Sequence, residues 1–321
     1  MQPLGGMLVV DLSRYLPGAY ATRDLLELGA RVVRLEPPDG DPMRFTAPAW
    51  HDALNAGKES VACNLKADPA LGHALVRRAD VVVESFRPGV AARLGVGPDD
   101  AAPTAVYCSI TGFGLGGPHE QRAGHDLNYV GWAGLLADTA PGLPPLPLAD
   151  LASGALDAVG RILAALLVRE RTGEGSHVVV SMTHGAHRLG SHRLGGEPHD
   201  RLLTGALACY AIYACADGRH VTVGALEPVF FGRLCELLGR PELAERQYGD
   251  GQEELRAELA AAFASRPLAE WLERFDGEDV CVGPVATLAE GAAAFGRPAR
   301  GAAAPLGAHT DAWRRDLGVP A

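Results

Sequence analysis

The chain has no surplus of positive charge. Its 321 residues carry 39 Asp and Glu against 29 Lys and Arg, a formal net charge of −10. A polyanion is held by neutralising its phosphates, so this balance argues against nonspecific nucleic-acid binding. It leaves room for one local basic site for an anionic small molecule. No pair among Cys63, Cys108, Cys209, Cys215, Cys235 and Cys281 has the Cys-x-x-Cys spacing of a zinc or redox site. Reduced thiols in a cytoplasmic protein without a metal site are therefore expected. No uninterrupted apolar run reaches about 18 residues, so no membrane span is expected. Met1–Met7 lacks the basic region and apolar core of a secretory signal. No internal repeat is present.

What is there is a core-forming composition, 47% hydrophobic, arranged in alternating periods. Strands are expected at Leu8–Leu12, Arg31–Glu36, Val81–Glu84, Ala105–Ile110 and His177–Met182. Amphipathic helices are expected at Gly18–Leu28, Pro69–Arg78, Leu127–Ala137 and Gly154–Arg171. This rhythm predicts an α/β fold with a helix-flanked parallel sheet. The expected organisation is a large domain over 1–187, a linker over 188–207 and a smaller α/β domain over 208–290. The tail, 295–321, is expected to pack back on the large domain. His184, His187, His192 and His199 read as solvated linker residues.

A nicotinamide-binding site is the first false trail. Gly112-Phe-Gly-Leu-Gly-Gly117 satisfies G-x-G-x-x-G, but Pro118-His119 follows it where a helix should start. The turn after the first strand, Ser13-Arg-Tyr-Leu-Pro-Gly18, lacks the glycines that let a pyrophosphate approach a helix N-terminus.

Three other segments carry the chemistry. Ala123-Gly-His-Asp-Leu-Asn-Tyr129 follows a strand and a glycine-rich loop, which is a way to aim a general base into a cleft. Pro144-Pro-Leu-Pro-Leu-Ala-Asp150 is an extended approach ending in a carboxylate. Ala214-Cys-Ala-Asp-Gly-Arg-His-Val-Thr-Val-Gly-Ala-Leu-Glu227 ends a hairpin in a second one. Taken singly, each also reads as a helix cap, since Asp, Asn and Glu are favoured at helix starts.

These segments, with Val10-Asp-Leu-Ser-Arg14, Leu28-Gly-Ala-Arg-Val-Val-Arg-Leu-Glu-Pro37, Gly57-Lys58, Asn64-Leu-Lys66, Ser85-Phe-Arg-Pro-Gly-Val90 and Ala216-Asp-Gly-Arg219, run through nearly the whole chain in order. Together they resemble the family III CoA-transferase superfamily, most closely its α-methylacyl-CoA racemase branch. The resemblance implies a Rossmann-like large domain, a small α/β domain and an interlocked homodimer. It implies an acyl-CoA thioester as substrate, with no prosthetic group. His125 would serve one face of the α-carbon and Asp150 the other. Glu227 would orient His125 from the partner subunit, and the backbone N–H of Asp126 would face the thioester oxygen. The phosphates of CoA want Lys and Arg donors. Lys58, Lys66, Arg87 and Arg93 are the implied set, with Ser85, Phe86 and Tyr129 beside them. Pro37 or Pro38 stands where many relatives carry a cation, leaving Arg34 or Arg44 as replacements.

The expected reaction is racemisation at the α-carbon through an enolate. The alternative is CoA transfer, with Asp150 as nucleophile. A non-catalytic acyl-CoA-binding protein is the third reading. The apolar run Gly205–Tyr213 departs from the glycine- and tyrosine-rich stretch usual in such racemases, which implies a reshaped acyl pocket.

Overall fold

The computed structural model describes residues 2–137, 139–193, 202–296 and 301–320. They divide into two compact units, Met1–His192 with Ala299–Ala321, and Arg193–Pro298. The central part of the expected linker, 194–201 with His199, lies outside the described residues.

The first unit is built on six parallel strands, β1 (Leu8–Asp11), β2 (Arg31–Glu36), β3 (Glu59–Ala62), β4 (Val81–Glu84), β5 (Val106–Thr111) and β6 (Ser176–Ser181). Their order is β3-β2-β1-β4-β5-β6. The central strands are continuous valine-rich runs because both faces of the sheet are covered. Alternation along each strand sorts side chains to opposite sides. Val9, Val32, Val81, Val83, Val106 and Cys108 join one core, with Leu25 of the helix Tyr15–Glu27 and Ile162 of the helix Asp157–Thr172. Val10, Val33, Val61, Val82 and Tyr107 join the other, with Leu71 and Leu75 of the helix Ala70–Arg78.

Two elements at one edge of the sheet escape the sequence reading. Glu59-Ser-Val-Ala62 is too short and too polar to register as a strand, yet it forms the sheet edge beside β2. That edge is covered by the C-terminal segment, whose polar-looking stretch is the helix Thr310–Leu317. Its Trp313 is buried and donates to Glu59, and the His309 N–H donates to Ser60 O. The helix expected over Leu127–Ala137 covers only Asp126–Trp132, because Gly134 turns left-handed (φ 83°) just beyond it.

A π-helical segment, Ala149–Leu156, runs directly into Asp157–Thr172. The resulting 24-residue helix is, by length and composition alone, apolar enough to cross a membrane. A scan for unbroken apolar runs misses it because Asp150, Asp157 and Arg161 interrupt the stretch. In the fold, Ala155, Ala158, Ile162 and Leu166 are core residues, and Asp157 pairs with Arg161 and Arg188.

The second unit holds an antiparallel sheet of β7 (Tyr210–Ala214), β8 (His220–Gly224) and β9 (Val282–Pro284). The helices Pro228–Leu237, Gln252–Phe263 and Leu268–Phe275 pack on one core with it. Phe231, Phe263 and Trp271 fill that core, and Phe263 stacks on Tyr213.

Candidate active site

In an open parallel sheet the natural crevice lies beyond the carboxyl ends of the strands, where neighbouring connections leave in opposite directions. Here that point falls between β1 and β4. A cleft of about 700 Å³ opens there. Arg14, Tyr15 and Pro17 form its wall after β1, and Ser85, Phe86 and Arg87 its wall after β4. The loop after β5 supplies Gly124, His125, Asn128 and Tyr129, and Asp150 and Met182 complete it.

Each wall is fixed locally. The Asp11 carboxylate accepts from the Ser13 N–H and hydroxyl, which closes the turn after β1. The Arg14 N–H donates to Ser85 Oγ at 3.0 Å, which ties the two walls together. On the loop after β5, the Tyr129 hydroxyl donates to Gly124 O. Glycine is required on both sides of this ring. A Cβ on Gly112 would lie 2.6 Å from it, and one on Gly124 2.8 Å. The fixed loop presents His125 as the extended residue before the helix Asp126–Trp132. Its N–H donates to Asn128 Oδ1 at 3.0 Å. The imidazole is exposed.

Asp150 stands in the first turn of the π-helical segment, a distortion often found at functional sites. Its N–H donates to Asp126 Oδ1 at 2.9 Å, so the two carboxyl groups share one corner. Burial disfavours the ionised form of Asp150, and the neighbouring Asp126 charge adds to the effect. The pKa of Asp150 is pushed up to about 7. Near neutrality this group can therefore both hold and release a proton. The Asp126 N–H opens its helix and has no intrahelical acceptor, so it is free to receive negative charge.

His125, Asp150, Ser85, Phe86, Arg87 and Tyr129 all line this cleft. Lys66 lines a neighbouring cleft of about 280 Å³, beyond β1, β2 and β3, that shares Arg14 and Phe86 with the first. Arg93 is exposed on the short helix Val90–Arg93 and lines neither cleft. Glu227 belongs to the second unit, where it is exposed at the start of the helix Pro228–Leu237.

Lys58 is the clearest correction. It is buried, and its Nζ donates to Ala19 O at 2.8 Å, Thr22 Oγ1 at 2.7 Å and Asn55 Oδ1 at 2.9 Å. It also pairs with Asp11, 3.4 Å away. Burial lowers its pKa to about 7 despite that carboxylate. Lys58 is thus an interior residue and not a phosphate ligand. Arg34 and Arg44 do not replace the missing cation at Pro37 or Pro38. Arg34 is buried between Asp11 and Asp41, and Arg44 is bound to Glu36 at 2.6 Å. Two of the histidines read as solvated linker residues are exposed as expected but belong to a helix. His184 and His187 lie on the helix Met182–Leu189, with rings bonded to Ser181 Oγ and Ala133 O.

Arg14, Tyr15, Arg122 and Met182 escaped the sequence reading as site residues. Arg14 and Tyr15 directly follow the first strand, and the carboxyl-end rule alone could have found them. Arg122 and Met182 carry no such signal.

With this geometry in place, comparison with known proteins is direct. The family model for CoA-transferase family III matches residues 4–311, and the chain belongs to that family. Human alpha-methylacyl-CoA racemase is 35% identical over 307 residues, covering 89% of this chain and 78% of that protein. Acetyl-CoA:oxalate CoA-transferase of Acetobacter aceti is 34% identical, covering 90% of this chain and 82% of the relative. The crystal structure of a hypothetical protein from Mycobacterium tuberculosis superposes with a TM-score of 0.83 at 29% identity, covering 98% and 99% of the two chains. A CAIB/BAIF family protein from Brucella suis gives the same TM-score of 0.83 at 28% identity and the same coverage.

Proposed function

We propose that this chain is an acyl-CoA racemase or epimerase, inverting the α-carbon of a 2-methylacyl-CoA type of thioester. The observation that carries the reading is the presence of His125 and Asp150 in one cleft. His125 takes the α-proton from one face and Asp150 returns one to the other, the roles reversing with the substrate's configuration. A carboxyl group with a pKa of about 7 suits the donor's part, because it is still partly protonated at neutral pH. The Asp126 N–H stabilises the enolate oxygen formed between the two steps. Glu227 orients His125 from the partner of an interlocked homodimer.

Ser85, Phe86, Arg87 and Tyr129 hold the thioester arm, with Lys66 and Arg93 toward the nucleotide. No prosthetic group takes part. The strand order supports a Rossmann-like large domain, and the protein would act in the cytoplasm.

CoA transfer is the second reading. The racemase and the oxalate transferase are almost equally similar to this chain, 35% against 34%. In that reaction the Asp150 carboxylate attacks the thioester carbonyl and expels CoA thiolate, leaving a mixed anhydride. One experiment separates the two. The protein is incubated with 2-methylacyl-CoA in deuterated water, with and without a free acid. Uptake of α-deuterium that His125→Ala abolishes supports racemisation. CoA exchange onto the acid with no α-exchange refutes it in favour of transfer. Binding with neither reaction leaves a non-catalytic acyl-CoA-binding protein.

A further inference from the structure

Tyr15 is one of three described non-glycine residues with positive φ, at 62°, the left-handed region that an L side chain enters only at a cost. The turn around it is determined from several sides. Arg14 before it is extended and bonded to Ser85 across the cleft. Gly18 after it packs so tightly on Ser13 that a Cβ would lie 2.2 Å away. Strain of this kind persists only where the surroundings impose it, and it gathers at ligand contacts. The ring is not spent on packing. Tyr15 is 50% exposed, and its hydroxyl has no partner among the described residues. Tyr15 is among the residues that line the cleft shared by His125 and Asp150.

We propose that Tyr15 is a specificity-determining residue that reads the acyl group, selecting thioesters whose carbon chain carries a hydroxyl or carbonyl oxygen near the reacting carbon. The inference rests on the acyl-CoA reading above and adds the class of acyl group. A free phenol can donate to such an oxygen and accept from a hydroxyl. A purely hydrocarbon chain would leave that phenol unpaired on being covered, which costs affinity. The constrained turn fixes the backbone of Tyr15 at the cleft wall, so on binding only its side-chain torsions are left to order.

The test compares 3-hydroxy-2-methylbutanoyl-CoA with 2-methylbutanoyl-CoA, which differ by one oxygen, using calorimetric binding to the full chain. The wild type is expected to bind the hydroxylated thioester about five-fold more tightly, the factor of one neutral hydrogen bond. In Tyr15→Phe, which keeps the ring and loses the oxygen, the ratio should fall to about one. Tyr15→Gly should also lose the ratio, and its unfolding midpoint should stay within about 2 °C of wild type, since glycine accepts this backbone freely. A wild-type ratio near one, or a ratio that survives in Tyr15→Phe, overturns the inference and leaves the acyl-CoA reading standing. A fall of more than about 5 °C in Tyr15→Gly also overturns it, because the ring would then serve the fold. Failure of both thioesters to bind the wild type refutes the acyl-CoA reading itself, and this inference with it.

Discussion

Asp150→Asn should abolish turnover and make the protein more stable, by an amount that grows with pH. In the fold the Asp150 carboxyl titrates near 7, against an ordinary value of 3.8. Between those values the folded state binds the proton that the unfolded chain gives up, so folding weakens as pH rises from about 4 to about 7 and then levels off. At face value the loss between pH 5 and pH 8 is about 2.6 kcal/mol. Asp150 keeps part of its surface in water, so about half should survive screening, roughly 1.3 kcal/mol. Asparagine keeps the shape without the charge. The gain of the variant over wild type should therefore be about 1.3 kcal/mol larger at pH 8 than at pH 5, a difference of about 3 °C in unfolding midpoint. Thermal unfolding of both proteins at the two pH values measures it. A variant less stable than wild type at pH 8, or a difference that does not change with pH, would refute the burial argument.

Lys58→Met should destabilise the fold by about 1–3 kcal/mol, because it strands the buried acceptors Ala19 O and Asn55 Oδ1 and leaves Asp11 with Arg34 as its remaining cation. The Kd for CoA should stay within about two-fold. A normally stable variant that loses CoA would return Lys58 to the anion site. The same variant should lack a pH effect present in wild type. Folded Lys58, titrating near 7, releases its proton while the unfolded chain keeps it to about 10.5, so this group's contribution to stability rises between those values. Gly124→Ala should lower kcat about 100-fold with little loss of stability, by pushing the loop off the Tyr129 ring and displacing His125. Kinetics with unchanged kcat would show that the loop tolerates the extra carbon.

Much of the parallel sheet was legible in the chain. Val9, Val10, Val81, Val82 and Val83 form apolar runs that only a doubly covered strand accommodates. The His125-Asp126 pair was visible as a polar helix start after a strand and a glycine loop, but that pattern alone reads equally as a cap, and the motifs along the rest of the chain singled it out as a site. The edge strand Glu59–Ala62 was not legible, because its pairing comes from β2 and its cover from Trp313, some 250 residues away in sequence. The role of Tyr129 was half legible. The motif marked the residue, but its hold on Gly124 is a contact that spacing does not reveal.

The sequence by itself determined where the apolar strands of the large sheet run and several of the polar residues that follow them, because period and residue type are local properties of the chain. Tertiary structure alone decided which of those residues meet water. Lys58 and Lys66 are the chain's two lysines and stand eight positions apart. One is sealed against Asp11 and the other lines an open cleft. Asp126 and Asp150 were two separate carboxylates in the sequence, and the fold places one against the backbone of the other. Desolvation and the charge of a neighbour set a proton's affinity, and both exist only once distant segments have packed together.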